Sequence, residues 1–296
     1  MAVAGLREKT LTTADGTRLA YQVRGTGPAI VFANGLGGTY TAWRHQYASL
    51  GSDYTIVSWD YRGLFGSSRP SDLATLAIDR QVADLRDILD AEGIERAILV
   101  GWSMGVQFNF EFHRQYPERV SGIISASGTA GRPFDSILLV PHLQRILPCV
   151  LRGARHVAPI FAPIVRVAST WRGLVPVMER LGMVAASLDH AVLEDIAEAF
   201  GGLDFEVYVE TFRQLGLHDC RESLGDIAVP VLVICGTKDM LTPVSVAEDL
   251  AARIPGAELA LVEGGTHYVA VEFPEEVNGH IARLVRQVYP GGPSTA

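Results

Sequence analysis

Six short apolar runs along the chain lack the alternation of polar and apolar residues. Strands that are buried on both faces, in the centre of a parallel sheet, show this pattern. The runs are residues 29–33, 54–59, 97–102, 120–126, 229–235 and 258–262. Helix-period stretches lie between them, such as residues 78–92, where apolar side chains share one face and Gly93 ends the helix. Strands that alternate with helices predict a mostly parallel, doubly wound α/β sheet.

Two segments depart from this alternation. Residues 17–23 alternate in character behind the turn residues Asp15 and Gly16, which predicts a leading antiparallel hairpin. Between residues 131 and 220 no strand-like run appears, and the helical stretches are residues 138–151, 154–171 and 193–212. Prolines 141, 148, 159, 163 and 176 are expected to cut this part into short pieces. We therefore predict a helical cap, residues 131–220, inserted into a core formed by residues 1–130 and 221–296.

Composition narrows the class of protein. Of the 296 residues, 48% are hydrophobic and 20% are charged, and no apolar run approaches the roughly 18 residues of a membrane span. The net charge of −8 argues against nucleic acid as a partner, since phosphate binding requires a basic surface. The N-terminal residues lack a secretory-signal pattern, which favours a cytoplasmic location. Cys149, Cys220 and Cys235 are spaced unlike a disulfide framework or a metal cluster, so free thiols are expected.

A strand–turn–helix junction carries the first candidate for chemistry. The run 97–102 leads into Gly-Trp-Ser-Met-Gly at residues 101–105, and a helical stretch follows at 106–116. In this Gly-x-Ser-x-Gly turn the glycines avoid collisions with the neighbouring strand and helix, and the serine hydroxyl is lifted clear of the sheet. The first helix amides then face a developing oxyanion. Ser103 is the predicted nucleophile, and a serine that merely caps the helix is the alternative.

A nucleophilic serine needs a histidine base and an acid that orients it. His267 follows a buried run directly and precedes a helix at 274–288, so it lies at the carboxyl edge of the sheet with Ser103. Asp239 follows the run 229–235 at the same edge and is the predicted acid, with a helix cap as its alternative role. Asp226 is a weaker competitor because it precedes its strand. The remaining histidines are predicted as partly exposed helix residues at 45, 113 and 280. Those at 142, 156, 190 and 218 are predicted in the cap, at the surface, with a contact to substrate as the alternative.

The loop after residues 29–33 reads Asn-Gly-Leu-Gly-Gly at 34–38. The backbone amides of Leu36 and Met104 are candidate donors for an oxyanion hole. A nucleotide-binding interpretation of these glycines fails because Tyr40 stands where a third glycine is needed. The predicted chemistry requires no metal and no organic cofactor.

These motifs, in this order, resemble the α/β-hydrolase superfamily. The matches are the loop at 34–38, the Asp-Tyr-Arg-Gly stretch at 60–63 with Ser67, the turn at 101–105, Gly236 with Asp239, and the His267 loop. The resemblance implies an α/β-hydrolase fold, and it departs from the family pattern at Asn34, where most relatives have histidine, and at Phe65, where glycine is usual. The Asn-x-Leu-Gly loop at 34–37 is similar to that of 3-oxoadipate enol-lactonases, whose turn commonly has glycine where this chain has Val106.

The predicted cap is uneven in charge. Between residues 131 and 188, seven arginines (132, 145, 152, 155, 166, 172 and 180) stand against Asp135 and Glu179, whereas residues 189–220 are acidic. A basic apolar segment could attract a carboxylate-bearing substrate. The alternative is a solvated helix face paired with the acidic half of the cap. Contact with a membrane surface is a third interpretation, which the proline breaks disfavour.

The sequence thus predicts a serine hydrolase that cleaves a small-molecule carboxylic ester or lactone through an acyl-enzyme. A carbon–carbon bond hydrolase with the same three residues is the enzymatic alternative. A non-catalytic ligand-binding receptor on the same fold is the alternative from another class, since fold does not determine function.

Overall fold

The computed structural model describes residues 5–51, 53–137 and 143–291. Within them, eight strands form one sheet. In chain order the strands are β1 (Arg7–Thr12), β2 (Arg18–Arg24), β3 (Ala29–Ala33), β4 (Thr55–Trp59), β5 (Ala97–Trp102), β6 (Val120–Ala126), β7 (Val231–Gly236) and β8 (Glu258–Val262). Their order across the sheet is β1-β2-β4-β3-β5-β6-β7-β8. Strands β3 to β8 pair in parallel, whereas β2 pairs antiparallel with both β1 and β4.

The six predicted strands and the leading hairpin are confirmed, with one difference at β8. The sequence pattern predicted a central strand that is buried on both faces. Instead β8 lies at the edge of the sheet, and Leu259 and Leu261 are exposed while Ala260 and Val262 are buried. The prediction was wrong because an apolar run indicates a strand but does not indicate whether that strand has neighbours in the sheet on both sides.

Helices cover both faces of the sheet. They are α1 (Arg44–Leu50), α2 (Ile78–Ala91), α3 (Met104–Gln115), α4 (Phe134–Ile137), α5 (Leu143–Ala154), α6 (Ala158–Ser169), α7 (Leu174–Arg180), α8 (His190–Gly201), α9 (Phe205–Leu217), α10 (Val244–Arg253), α11 (Val269–Glu272) and α12 (Pro274–Val288). One core lies between the sheet and α2, α3 and α10. A second core lies on the opposite face against α1 and α12. This two-sided burial explains why the central strands carry no polar alternation, and it confirms the doubly wound α/β sheet.

Every regular element that the structure describes between residues 131 and 220 is a helix. The predicted helix at 193–212 is wrong as a single element, because α8 ends at Gly201 and α9 begins at Phe205. Asp204 starts α9 by accepting hydrogen bonds from the amides of Glu206 and Val207, at 3.0 and 3.3 Å. An aspartate in that position satisfies amides that have no partner inside the helix, a signal that is present in the sequence at residue 204.

The expected proline breaks are also wrong at two positions. Pro148 lies inside α5 and Pro163 lies inside α6. In α6 both Pro159 and Pro163 are exposed, so water can solvate the carbonyl that Pro163 leaves without an amide partner. Residues 138–142, which include Pro141 and His142, lie outside the described part of the chain. Among the helices described, none combines the length and apolar character that crossing a bilayer demands.

Candidate active site

Ser103 lies in the sharp turn between β5 and α3, with φ 55° and ψ −116°. This positive φ is unfavourable for a residue with a side chain, and the surrounding packing holds it. A Cβ atom at Gly105 would lie 2.1 Å from the Ala33 carbonyl oxygen, and one at Gly101 would lie 2.5 Å from the Gly105 carbonyl oxygen. Both glycines are therefore required for the close approach of strand and helix that sequence reasoning predicted.

The structure brings together Ser103, His267 and Asp239 at the carboxyl ends of β5, β8 and β7. The Ser103 Oγ atom lies 2.8 Å from Nε2 of His267. On the other side of the ring, Nδ1 lies 3.0 Å from Oδ2 and 3.1 Å from Oδ1 of Asp239. The three side chains thus form one continuous hydrogen-bonded chain, with His267 and Asp239 buried.

Asp239 is held as a carboxylate by several donors. Oδ1 accepts hydrogen bonds from the amides of Leu241 and Thr242, at 2.9 and 2.8 Å, and Oδ2 accepts one from the Thr242 hydroxyl at 2.7 Å. Burial opposes ionisation of this carboxyl, but the hydrogen bonds from His267 and Thr242 outweigh it and lower the pKa of Asp239. A charged carboxylate beside Nδ1 favours the tautomer that leaves Nε2 free to accept a proton from Ser103.

Trp102 joins two loops of the site, a role that sequence reasoning missed. Its Nε1 donates a hydrogen bond of 2.7 Å to the carbonyl oxygen of His267. Its ring also lies so close to the loop after β3 that a Cβ at Gly35 or Gly38 would approach within 2.9 or 2.8 Å of ring atoms. The position of Trp102 next to Ser103 was visible in the sequence, but a contact to a residue 165 positions away was not.

Glu272 holds the loop that carries His267 and was also missed. Its buried carboxylate accepts hydrogen bonds from the Thr266 amide at 2.7 Å and from the Thr266 hydroxyl at 2.6 Å. A third hydrogen bond of 2.7 Å comes from the amide of Ala185, between α7 and α8. Glu272 therefore connects the His267 loop to the helical segment above it.

Leu36 and Met104 both border the cavity that contains the Ser103 hydroxyl. Met104 is the first residue of α3, so its amide lacks a carbonyl partner within that helix. The positive end of the α3 dipole adds to the attraction for negative charge at this point. The two backbone positions predicted from the sequence thus lie beside the candidate nucleophile.

The side chain of Asn34, the first departure from the family pattern, forms hydrogen bonds in the protein interior. Its Oδ1 accepts a hydrogen bond from Trp43 Nε1 at 3.0 Å, and its Nδ2 donates to the Trp59 carbonyl at 3.2 Å. The Tyr61 hydroxyl donates to the Asn34 carbonyl at 2.7 Å. The side chain therefore anchors the glycine loop to the sheet.

Phe65, the second departure from the family pattern, lies in the loop after β4. Phe65 has φ 49°, a left-handed conformation that glycine adopts readily, which accounts for the glycine usual there. Nearby, the Asp60 carboxylate accepts a hydrogen bond of 3.0 Å from the Gly66 amide, and the Ser67 hydroxyl donates to the Asp60 carbonyl at 2.7 Å. Burial raises the pKa of the Asp60 carboxyl to about 6 despite the hydrogen bond from Gly66.

A cavity of about 280 Å³ opens above the Ser103 hydroxyl. Its lining is predominantly apolar and comprises Gly35, Leu36, Trp102, Ser103, Met104, Gln107, Gly128, Thr129, Pro133, Tyr208, Phe212, Leu215, Leu241, Thr242, His267 and Tyr268. No arginine or lysine is among these described lining residues, so the idea that cap arginines bind a substrate carboxylate finds no support here. Arg132 instead pairs with Asp219 at 3.8 Å, and Arg155 pairs with Glu210 at 3.0 Å.

Three side chains outside this cavity are of types that can bind a metal ion and lie close together. Ligand atoms of Glu111, His218 and Cys220 lie within 4.8 Å of one another, an arrangement that the cysteine spacing did not indicate. However, Arg114 and Gln115 already occupy the Glu111 carboxylate. The Cys220 thiol donates a hydrogen bond of 3.3 Å to the Ala130 carbonyl, and burial raises its pKa to about 12. The group is better suited to joining α3 to the end of α9.

His113 is buried and not partly exposed as predicted, and burial lowers its pKa. The three cysteines are free thiols, as predicted.

Comparison with known proteins identifies the family. A family model described as "Alpha/beta hydrolase family" matches residues 30–280. The chain belongs to this family. An uncharacterised protein of Mycobacterium tuberculosis is 31% identical over 94% of this chain and 81% of that protein. A Caulobacter segnis protein named "Putative carbamate hydrolase RutD" is 28% identical over 93% of this chain and 98% of that protein.

The fold of the family member also matches a solved structure of an enol-lactonase from Burkholderia xenovorans. That match has a TM-score of 0.74 and 23% sequence identity, and covers 94% of this chain and 99% of the other. At this identity the similarity establishes the fold, and the α/β-hydrolase fold predicted from the motifs is confirmed.

Proposed function

We propose that the protein is a serine hydrolase that cleaves a carboxylic ester or lactone through an acyl-enzyme. In this proposal Ser103 is the nucleophile, His267 the general base and Asp239 the acid that orients the imidazole. The observation that carries the proposal is the continuous hydrogen-bonded chain from Asp239 through His267 to Ser103, which ends in an apolar cavity. Membership of a hydrolase family supports the same reaction class.

The geometry supports a two-step reaction. Oγ of Ser103 attacks the substrate carbonyl carbon while its proton passes to Nε2 of His267. The tetrahedral intermediate then collapses, and the leaving alcohol takes the proton from the imidazole. A water molecule, deprotonated by the same ring, hydrolyses the acyl-enzyme and restores Ser103.

The remaining parts of the site fit roles in this reaction. The amides of Leu36 and Met104 are the proposed donors to the oxyanion, because both residues border the cavity at Ser103. The apolar lining without lysine or arginine favours an uncharged acyl group. We further propose that residues 131–220 act as a cap over a core of residues 1–130 and 221–296, since α9 of the cap contributes Tyr208, Phe212 and Leu215 to the cavity.

The decisive experiment is hydrolysis of a short p-nitrophenyl ester by Ser103→Ala. We expect kcat to fall by on the order of 10⁴ or more, because the covalent step is removed. Ser127→Ala is the matched control: Ser127 also has a left-handed backbone, with φ 47°, and within the described residues its hydroxyl has no hydrogen-bond partner. This control should retain activity.

Equal and slow turnover by wild type and Ser103→Ala would contradict the proposal and favour a ligand-binding receptor. A substrate panel then distinguishes the reaction classes. Esters and lactones test the proposal directly, vinylogous diketones test carbon–carbon bond hydrolysis, and carbamates test the activity named for the Caulobacter segnis relative.

A further inference from the structure

The outer face of α6 is apolar and faces water. Ile160, Ile164 and Val167 on this helix, and Trp171 just after it, are 71%, 65%, 72% and 58% exposed. They are spaced by four, three and four residues, so they form one stripe along the helix. The inner side of α6 packs on α8 and α9. The stripe therefore has no covering element among the described residues, and we call it the α6 apolar face.

Exposed apolar side chains also occur on the neighbouring helices in the chain. Ile146 and Val150 of α5 are exposed, as is Val177 of α7. Isolated exposed apolar residues are ordinary, but a clustered set of this size on a monomer marks an interaction surface. The α6 apolar face is thus accompanied by exposed apolar side chains on α5 and α7.

Exposed arginines lie in the same segment of the chain as the α6 apolar face. Arg152, Arg166, Arg172 and Arg180 are exposed, and within the described residues none of them forms an ion pair with a carboxylate. The acidic groups nearby are Glu179, which pairs with His190, and Glu194 and Glu198, which border a cleft with Trp171 and Arg172. Residues 143–180 contain six arginines and one carboxylate, Glu179, on a chain whose net charge is −8.

We propose that the α6 apolar face docks on a lipid bilayer that contains anionic lipids, with α6 lying in the plane of the interface. The apolar stripe is suited to the boundary between headgroups and acyl chains, and exposed arginines in the same segment of the chain supply positive charge. Tryptophan favours that boundary, and the arginines match anionic headgroups. The prolines that argued against this interpretation do not interrupt α6.

Trp171 provides a direct measurement on the full chain. It is the exposed one of four tryptophans, since Trp43, Trp59 and Trp102 are buried. Vesicles of phosphatidylcholine with about one-third phosphatidylserine should bind the protein in co-sedimentation and shift its tryptophan emission to shorter wavelength. The shift should be absent in Trp171→Phe, and binding should be much weaker on pure phosphatidylcholine or at high salt.

Two double variants separate the apolar and the charged contributions. Ile160→Ser with Val167→Ser should weaken vesicle binding more than tenfold, because both side chains would no longer insert. Arg152→Gln with Arg172→Gln should weaken it about fivefold per arginine at low salt. Matched controls are Leu259→Ser on β8, which removes an exposed apolar side chain elsewhere, and Arg7→Gln with Arg18→Gln, which removes exposed charges elsewhere. The controls should bind like wild type.

Three results would overturn the proposal. The first is a wild-type protein that stays in the supernatant with anionic vesicles. The second is a result in which the arginine double variant no longer binds vesicles while the Ile160 and Val167 double variant binds like wild type. Such a result would indicate electrostatic adsorption to the surface without insertion of the apolar side chains. The third is a wild-type dimer, detected by sedimentation velocity, that the Ile160 and Val167 variant converts to monomer while vesicles bind neither form. In that case the face covers a second copy of the chain.

Discussion

At the scale of single residues, the turn that carries Ser103 depends on two glycines, which have no Cβ atom. The turn at Ser103 is possible because Gly101 and Gly105 have no Cβ, which lets the Ala33 carbonyl lie against the start of α3. The strained backbone of Ser103 is held by this packing and by a hydrogen bond of 3.0 Å from its amide to the Ala126 carbonyl. Placing the hydroxyl toward His267 therefore requires both glycines and the neighbouring strands.

We predict that Gly105→Ala destabilises the protein by at least about 3 kcal/mol, because the added methyl group would overlap a backbone oxygen that cannot move without shifting β3. Gly279→Ala is the matched control. Gly279 lies inside α12 with open space at its Cβ position, so alanine there should stabilise by about 0.5–1 kcal/mol. Chemical denaturation measures both changes, and a Gly105→Ala protein as stable as wild type would disprove the packing argument.

At the scale of elements, α9 connects the outer helices to the cavity. One side of α9 provides Tyr208, Phe212 and Leu215 to the cavity lining, and other parts of it pack against α5 and α6. Its first turn depends on Asp204, which accepts two amide hydrogen bonds and pairs with Arg69 at 2.6 Å. The start of this helix therefore influences the shape of the cavity.

We predict that Asp204→Ala lowers the free energy of unfolding by about 1 kcal/mol through loss of the helix cap. Asp204→Asn keeps the capping oxygen and loses only the exposed ion pair with Arg69, so it should cost less than about 0.5 kcal/mol. Thermal and urea unfolding distinguish the two. Equal losses for both variants would show that the ion pair, and not the cap, stabilises α9.

At the scale of the whole molecule, a buried group of charges joins the helical segment to the core. Glu111 of α3 lies 3.1 Å from His218, directly after α9, and accepts hydrogen bonds from Arg114 and Gln115. Burial opposes the charge on Glu111, but these hydrogen bonds outweigh it and lower the pKa of the carboxyl to about 2. The ionised form is therefore the one that the fold stabilises.

The lowered pKa gives a pH dependence with a definite sign. Stabilisation by Glu111 is complete above the unfolded-state pKa of about 4.3 and is lost as the pH falls toward about 2. Glu111→Gln should therefore be less stable than wild type by about 3 kcal/mol near neutral pH, and this difference should shrink below about pH 4. Glu258→Gln, which removes an exposed ion pair with Arg283, should cost less than about 1 kcal/mol. A difference between Glu111→Gln and wild type that does not change with pH would contradict the linkage.

Much of the fold and the composition of the candidate site were predictable, because their signals are local. A continuous apolar run indicates each central strand, since burial on both faces of the sheet disfavours polar side chains. Ser103, Asp239 and His267 each follow such a run, and parallel strands end at one edge of the sheet. A local pattern thus implied that three distant residues meet, and the structure brings them to within hydrogen-bonding distance.

Other features depend on contacts between distant segments, which only the tertiary structure decides. The indole of Trp102 reaches the His267 carbonyl and Glu272 reaches Ala185, while β8 is an edge strand because, within the described residues, it pairs with β7 alone. Likewise, an arginine in the sequence has the same charge whether it pairs, as Arg155 does, or stays exposed, as Arg152 does. Apolar periodicity and turn chemistry act within a few residues and so determine the elements, whereas packing determines which of their surfaces face each other and which face water.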